Sequence, residues 1–474
     1  MPKLMLINPH PPGNRGEEDI KVIVQMPLNL GYIAALTPRD EWEVDVIDEA
    51  IEPAIDENGK LNFEADLVGI TTLTYQAPRS YQIAQAAREA GMKVVFGGAH
   101  TTTHPDEVGQ YADAIGKGEA EPIWSRFLED FKKGQLEPVY DGGLPDLSIL
   151  NDVRPDRDLL TDKYGYKFSS IVTTKGCPWR CEFCCVPVIQ GHKYRMRPVE
   201  HILDEMEEIP YQGLMLAEDN FYGYSKEANA HARAVFKGMI DRGINKTWFG
   251  FTQFSTGLDV QGLDYMARSG GLGMLIGIET TDAQILRKLR KGPNLKIGVD
   301  NFGVAIDNIH KSGMIVWGSM IFGADGEGPD TFKRAVDFVR ESGIDVMTFG
   351  LLTSMPGSHL WKRLDDEGRK IRTNFPEDWI YYNSGHLTHL LESMSLDDFV
   401  DGMQYVYDNL YSKQALRERA FDGRRRTGNS FNSMFAYRIN LDWKGVFQHV
   451  LKNLRLLQES GIYYEAERKR RKVA

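Results

Sequence analysis

The sequence is poor in cysteine. Its 474 residues hold four, and all lie between Cys177 and Cys185. A disulfide framework spreads its cysteines along the chain, so that reading is disfavoured. A tight cluster points instead to metal or to chemistry. An excess of positive charge is also missing. The net charge is −11, which argues against nucleic-acid binding, because that needs a basic footprint. No apolar run approaches the ~18 residues of a membrane-crossing helix. The first residues, MPKLMLINPHPP, lack the apolar stretch and small-residue cleavage site of a signal peptide, so the expected location is the cytoplasm. No G-x-G-x-x-G follows a strand and no Walker motif occurs, which disfavours a nicotinamide or P-loop nucleotide site. What remains is a globular balance, 42% hydrophobic and 26% charged, on a chain long enough for two to four domains.

Short apolar runs alternate with helical periods. Leu4–Asn8, Val44–Ile47, Leu67–Thr72 and Val94–Phe96 read as strands, and Tyr81–Ala90 reads as a helix closed by Gly91. This predicts an α/β unit with a parallel, Rossmann-like sheet over residues 1–140. A Gly-, Pro- and Asp-rich stretch, 141–166, reads as a linker. The alternation resumes over 167–390, with strands at Ser169–Thr173, Leu214–Leu216, Trp248–Phe251, Met274–Ile278, Ile315–Phe322 and Val346–Leu352. Six such units fit a (β/α)6 partial TIM barrel, with its site at the carboxyl ends of the strands. Residues 391–474 read as a helical region that includes Leu396–Leu410 and Trp443–Leu457.

The cysteine segment is TTKGCPWRCEFCCVP, a C-x3-C-x2-C spacing directly after an apolar strand. Three thiolates on one loop can bind three irons of a cubane cluster, leaving the fourth iron open to a substrate. Structural zinc normally takes four Cys or His ligands, which disfavours it here. Cys185 adjoins Cys184 and reads as a packed small hydrophobe. The metal ligands expected are therefore Cys177, Cys181 and Cys184.

On these residues the sequence resembles the radical S-adenosylmethionine superfamily, whose third cysteine follows an aromatic residue, here Phe183. The resemblance implies a 4Fe-4S cluster and S-adenosylmethionine bound at its open iron. One-electron cleavage there releases a 5′-deoxyadenosyl radical. It also implies an external electron donor of flavodoxin or ferredoxin type. It places cofactor contacts at Phe183, at Ala217, Glu218 and Asp219 after the second strand, and at Gln253 and Ser255 after the third. Glu279 at the end of the fourth strand and Phe322 at the end of the fifth complete the set. Arg195 and Arg197 either neutralise the cluster or cofactor carboxylate, or form a solvated surface pair.

With such a barrel downstream, the N-terminal unit resembles a cobalamin-binding domain. The resemblance rests on the opening strand with Asn-Pro, on Leu30-Gly31-Tyr32, on Gly97-Gly98-Ala99-His100 and on Gly116-Lys117-Gly118-Glu119. It implies cobalamin contacts at His10, Pro11, Leu30, Gly31, Thr72, Thr74, Tyr75, Gly97, Gly98, His100, Gly116, Gly118 and Glu119. The Asp-x-His-x-x-Gly motif is absent, so no histidine of that kind ligates cobalt, and Thr74 or Tyr75 is expected near it. His100 and His104 otherwise read as ordinary polar residues. The competing reading is a Rossmann-like module without a cofactor.

The whole resembles cobalamin-dependent radical methyltransferases and cyclases. The resemblance implies methylation of an unactivated carbon of a hydrophobic small molecule, tetrapyrrole or lipid-like. Radical oxidation or cyclisation, as in porphyrin ring formation, is the alternative, and a sensor without turnover is the second. The aromatic and basic C-terminal stretch, with Arg424-Arg425-Arg426, Phe431, Phe435, Tyr437, Trp443 and Phe447, covers a large substrate, touches a membrane surface, or is simply core.

Overall fold

A computed structural model describes residues 1–11, 26–164, 166 and 168–473. Lys167, where the barrel was expected to begin, lies outside them. The apolar runs of the first unit become β1 (Lys3–Asn8), β2 (Glu43–Asp48), β3 (Leu67–Thr71) and β4 (Lys93–Gly97). Two further strands, β5 (Ala114–Lys117) and β6 (Val139–Asp141), complete the sheet. Its order is β2-β1-β3-β4-β5-β6, and every pairing is parallel. Parallel strands need crossovers that cover the faces. One is the helix Ala77–Glu89, which buries Tyr81, Ile83, Ala84 and Ala87 and stops before Gly91 at φ 86°. The strand order reverses between β1 and β3, which opens a crevice at the carboxyl ends of the strands.

The stretch expected as a linker carries the helix Asp158–Tyr164. Its Tyr164 hydroxyl accepts from the Asp48 amide at 3.1 Å, and the Tyr166 hydroxyl donates to the Asp48 carboxylate, so this segment packs back on β2.

The second sheet is an open arc. After β7 (Phe168–Ile171) come a small antiparallel hairpin, β8 (Thr174–Lys175) with β9 (Arg195–Met196), and then β10 (Gly213–Leu216). The arc continues through β11 (Thr247–Thr252), β12 (Gly271–Glu279), β13 (Ile315–Phe322) and β14 (Val346–Leu351). Its order is β14-β13-β12-β11-β10-β7, parallel throughout, and β14 does not pair with β7. This is the α/β partial barrel expected from the sequence. A closed barrel fills its axis with layers of side chains. Here Met215, Phe251, Leu275, Ser319 and Gly350 are only half-buried, although their neighbours along each strand are buried.

The C-terminal region is helical, as expected. Leu396–Leu410 starts on Ser395, whose hydroxyl accepts from the Asp398 amide. The helix Ser430–Ser460 contains the expected Trp443–Leu457 segment and runs beneath the strand starts. Asn432 Nδ2 donates to the Gly313 carbonyl at 2.8 Å, and Asn440 Nδ2 to the Asp345 carbonyl at 2.7 Å. Among the described residues no helix is long and apolar enough to cross a membrane.

Candidate functional site

The β8–β9 hairpin presents the cysteines. Its two strands pin residues 176–194 as one loop at the carboxyl end of β7. Gly176 adopts φ 90°, and a Cβ there would lie 2.3 Å from the Lys193 carbonyl oxygen, so only glycine fits. The Cys177 amide donates to the Gly191 carbonyl and the Cys184 amide to that of Cys181, both at 3.1 Å. All four thiols are free. Cys185 instead leads into the short helix Val186–Ile189. Burial pushes each thiol up, that of Cys184 to about 12. Among the described residues no three Cys, His, Asp or Glu side chains converge on a single-ion site. Three thiols on one loop suit a cluster that takes one thiolate per iron.

Two residues that sequence reasoning missed face these thiols. The Tyr224 hydroxyl donates to Cys177 Sγ at 3.3 Å, and Tyr194 packs edge-on against Tyr224. Lys291 lies 5.9 Å above the Phe183 ring and forms an ion pair with Glu279, both largely buried. Burial opposes the ammonium charge, yet the Glu279 carboxylate and the thiols of Cys181 and Cys184 hold its pKa above the ordinary lysine value. Glu279 itself sits at φ 61°, an uncommon left-handed conformation at a register shift in β12. Asn294 fixes that bend by donating to the carbonyls of Gly277 and Ile278.

The neighbouring strand ends supply buried acceptors. Glu218 accepts from the Thr173 amide at 2.6 Å, while its second carboxylate oxygen is buried without a partner. Burial pushes its carboxyl up to about 7, and that of Asp219 up to about 6. Gln253 donates to Ser255 Oγ at 3.0 Å and leaves its own carbonyl oxygen buried and unpartnered. Gly223 makes room for Gln253, since a Cβ there would lie 2.3 Å from its amide nitrogen. These orphan oxygens fit a ligand that carries an ammonium and hydroxyl groups. Phe322 departs from expectation. It is buried in the outer core against Phe332 and Phe349, while Ile321 occupies the half-buried inner row.

A cavity of about 850 Å³ joins the two sheets. His10, Leu30, Tyr75, Gly97, Gly98, Gly116, Gly118 and Glu119 line its first-sheet side, together with Thr71 and Leu73. Leu73 is 46% exposed at the tip of the β3 loop. Ala217 lines the other side, and Met215, Phe249, Phe251, Leu275, Trp317 and Trp443 form the wall of the barrel lumen.

Several expected residues stand off the cavity, for definite reasons. Thr72 is buried, its hydroxyl on Ser80 and its amide on the Gly97 carbonyl. Thr74 opens a short turn beneath the loop tip, and Pro11 is buried outside the lining. The Gly31 carbonyl accepts from the Asp156 amide, and a Cβ there would press on Pro155. His100 has no exposed surface and lies 3.2 Å from the Tyr81 hydroxyl and 3.4 Å from Glu107. His104 stacks on His100, and burial lowers its pKa to about 4.

Arg195 and Arg197 are neither a surface pair nor free to meet a ligand. Both are buried, Arg195 on Glu119 at 2.5 Å and Arg197 on Glu205 at 2.8 Å. Lys175 completes the first bridge, 3.0 Å from Glu119 and 3.3 Å from Glu121. The first sheet is thus ion-paired to the hairpin that carries the cysteines.

Comparison with known proteins accords with this geometry. Residues 171–363 match the Radical SAM superfamily and residues 24–127 the B12 binding domain. The chain is 26% identical over 408 residues to bacteriochlorophyllide d C-12(1)-methyltransferase of Chlorobaculum tepidum, covering 84% of this chain and 85% of that protein. It is 25% identical over 364 residues to the hopanoid C-2 methylase of Rhodopseudomonas palustris, covering 73% and 65%. Among solved structures, the radical S-adenosylmethionine methyltransferase TsrM from Kitasatospora setae, with cobalamin and a 4Fe-4S cluster bound, superposes with a TM-score of 0.66. The identity is 16%, over 96% of this chain and 99% of that one, a likeness of fold.

Proposed function

We propose that this chain, which joins a radical S-adenosylmethionine domain to a B12-binding domain, methylates an unactivated carbon of an apolar small molecule. One observation carries this reading: a single cavity runs from the glycine-lined first sheet, past the hairpin that holds the cysteines, into an apolar barrel lumen. When bound, the cluster with S-adenosylmethionine supplies a radical that removes a hydrogen atom, and cobalamin supplies the methyl group.

The chain's own residues position these groups. Cys177, Cys181 and Cys184 hold three irons, and Tyr224 steadies Cys177. The free oxygens of Glu218 and Gln253, with Asp219, accept from the ammonium and hydroxyls of S-adenosylmethionine, and Lys291 offers its carboxylate a cation. Phe183, Ser255 and Glu279 complete that pocket. Gly97, Gly98, Gly116 and Gly118 let the backbone approach the corrin closely, with Leu30, Leu73, Tyr75 and His10 around it. Leu73 and Tyr75 line the cavity on this side, while Thr74, also expected near cobalt, does not. The lumen excludes water and holds the apolar part of the substrate. An external one-electron donor of flavodoxin or ferredoxin type, in the cytoplasm, supplies the electron.

Anaerobic reconstitution tests the catalytic reading against a sensor. Reduced protein with S-adenosylmethionine is expected to release 5′-deoxyadenosine and S-adenosylhomocysteine. Release of neither would support a sensor. 5′-Deoxyadenosine alone, from complete turnover, would favour oxidation or cyclisation.

A further inference from the structure

The C-terminal helical hairpin has charge opposite in sign to the rest of the chain. Between Lys413 and Lys444 it carries eight Lys or Arg against three Asp or Glu, in a protein of net charge −11. The helices Lys413–Thr427 and Ser430–Ser460 meet at Gly428, which takes φ 67° to turn the chain. Arg425 and Arg426 are held by Asp422, and Arg426 also approaches Asp307. Arg417, Arg424 and Arg438 are exposed.

The same hairpin exposes large apolar side chains. Phe421 is 71%, Phe431 65% and Met434 62% exposed. Phe431, Met434 and Arg438 recur at i, i+3 and i+7, so they share one face of the long helix. The opposite face is covered. Asn432 and Asn440 bond the strand starts, Ala436 and Ile439 are buried against the arc, and Trp443 packs on Trp317 at the cavity. The outer face is thus exposed for a reason other than poor packing of the helix. Exposed apolar side chains ringed by arginine are the makings of an interfacial helix: the rings enter the headgroup boundary and the guanidiniums meet lipid phosphates.

We infer that this hairpin docks the protein on an anionic lipid surface. Charge complementarity selects that occupant. An acidic protein is repelled by anionic lipid except where a basic patch faces it, and each Lys or Arg near such a surface strengthens binding about fivefold. The proposal does not depend on the reaction assigned above.

Flotation of the full-length holoenzyme with vesicles tests it. Binding is expected to phosphatidylcholine vesicles containing phosphatidylglycerol and not to phosphatidylcholine alone, and to weaken as salt is raised. Arg424→Gln and Arg438→Gln are each expected to weaken binding about fivefold. The triple variant F421S/F431S/M434S changes exposed positions, so its melting temperature is expected to hold while flotation is lost. Absence of flotation of the wild type, or flotation that the triple variant retains, overturns the proposal. So does a stable dimer in sedimentation without lipid that the triple variant dissolves, because a second copy of the chain would then be what covers this face.

Discussion

Glu119, at the end of the first sheet, lies 3.0 Å from Lys175 on the hairpin that carries the cysteine loop, and its other oxygen meets Arg195 at 2.5 Å. All three side chains are largely buried, so the triad is both a clamp and a measure of domain placement. Removing one member leaves charges stranded in a low dielectric. Glu119→Ala is expected to lower stability by about 3–5 kcal/mol and to reduce the cobalamin retained after reconstitution. Thermal melting and the cobalt-to-protein ratio check both. Unchanged values would mean that the bridge is incidental.

Lys291 and Tyr224 flank the thiols and ligate nothing. Lys291→Met is expected to leave iron and sulfide content intact and to lower S-adenosylmethionine cleavage by at least about tenfold, because a buried carboxylate partner is lost. Lys291→Arg is expected to recover part of it. Cleavage rates normalised to cluster content decide. By contrast, alanine at Cys177, Cys181 or Cys184 is expected to abolish iron binding, and Cys185→Ala to preserve it.

The barrel and the cysteine loop were legible because their signals are local. Strand runs recur at regular spacing, and three thiols within eight residues need no fold to be seen together. Phe322 was misplaced because β13 is apolar along nearly its whole length, which hides which face each side chain takes. His100 looked like a loop residue because two of its partners, Tyr81 and Trp379, come from other segments of the chain. Lys291 was invisible for the same reason. It meets Glu279, twelve positions earlier, only through the turn pinned by Asn294.

Glu327 yields a pH prediction. It is buried, accepts from the Gly323 amide at 2.7 Å, and burial pushes its carboxyl up to about 8. The unfolded chain releases this proton above about pH 4.3, whereas the folded chain keeps it to about pH 8. Between those values the folded state binds the extra proton, so this group's contribution to stability falls as pH rises and levels off above about 8. Glu327→Gln removes the titration. Its melting temperature is expected to decline less than the wild type's between about pH 5 and pH 8. Parallel curves would contradict the assignment.

Trp443 reaches the cavity from the C-terminal helix and packs against Trp317. Trp443→Ala enlarges the lumen and loosens whatever apolar group rests there. Misplacement of about 1 Å costs about a hundredfold in a positioned reaction. The variant is expected to keep cleaving S-adenosylmethionine while product formation falls, so that the ratio of 5′-deoxyadenosine to methylated product rises at least about tenfold. An unchanged ratio would place the substrate elsewhere.

The central claim is that one cavity serves hydrogen abstraction and methyl transfer to the same apolar molecule. The most direct test incubates the reduced holoenzyme anaerobically with methyl-labelled S-adenosylmethionine and the apolar extract of cells that lack the protein. The account predicts labelled methyl on a new apolar product, with one 5′-deoxyadenosine and one S-adenosylhomocysteine for each methyl transferred. Appearance of a new product without label, accompanied by 5′-deoxyadenosine and no S-adenosylhomocysteine, would contradict it.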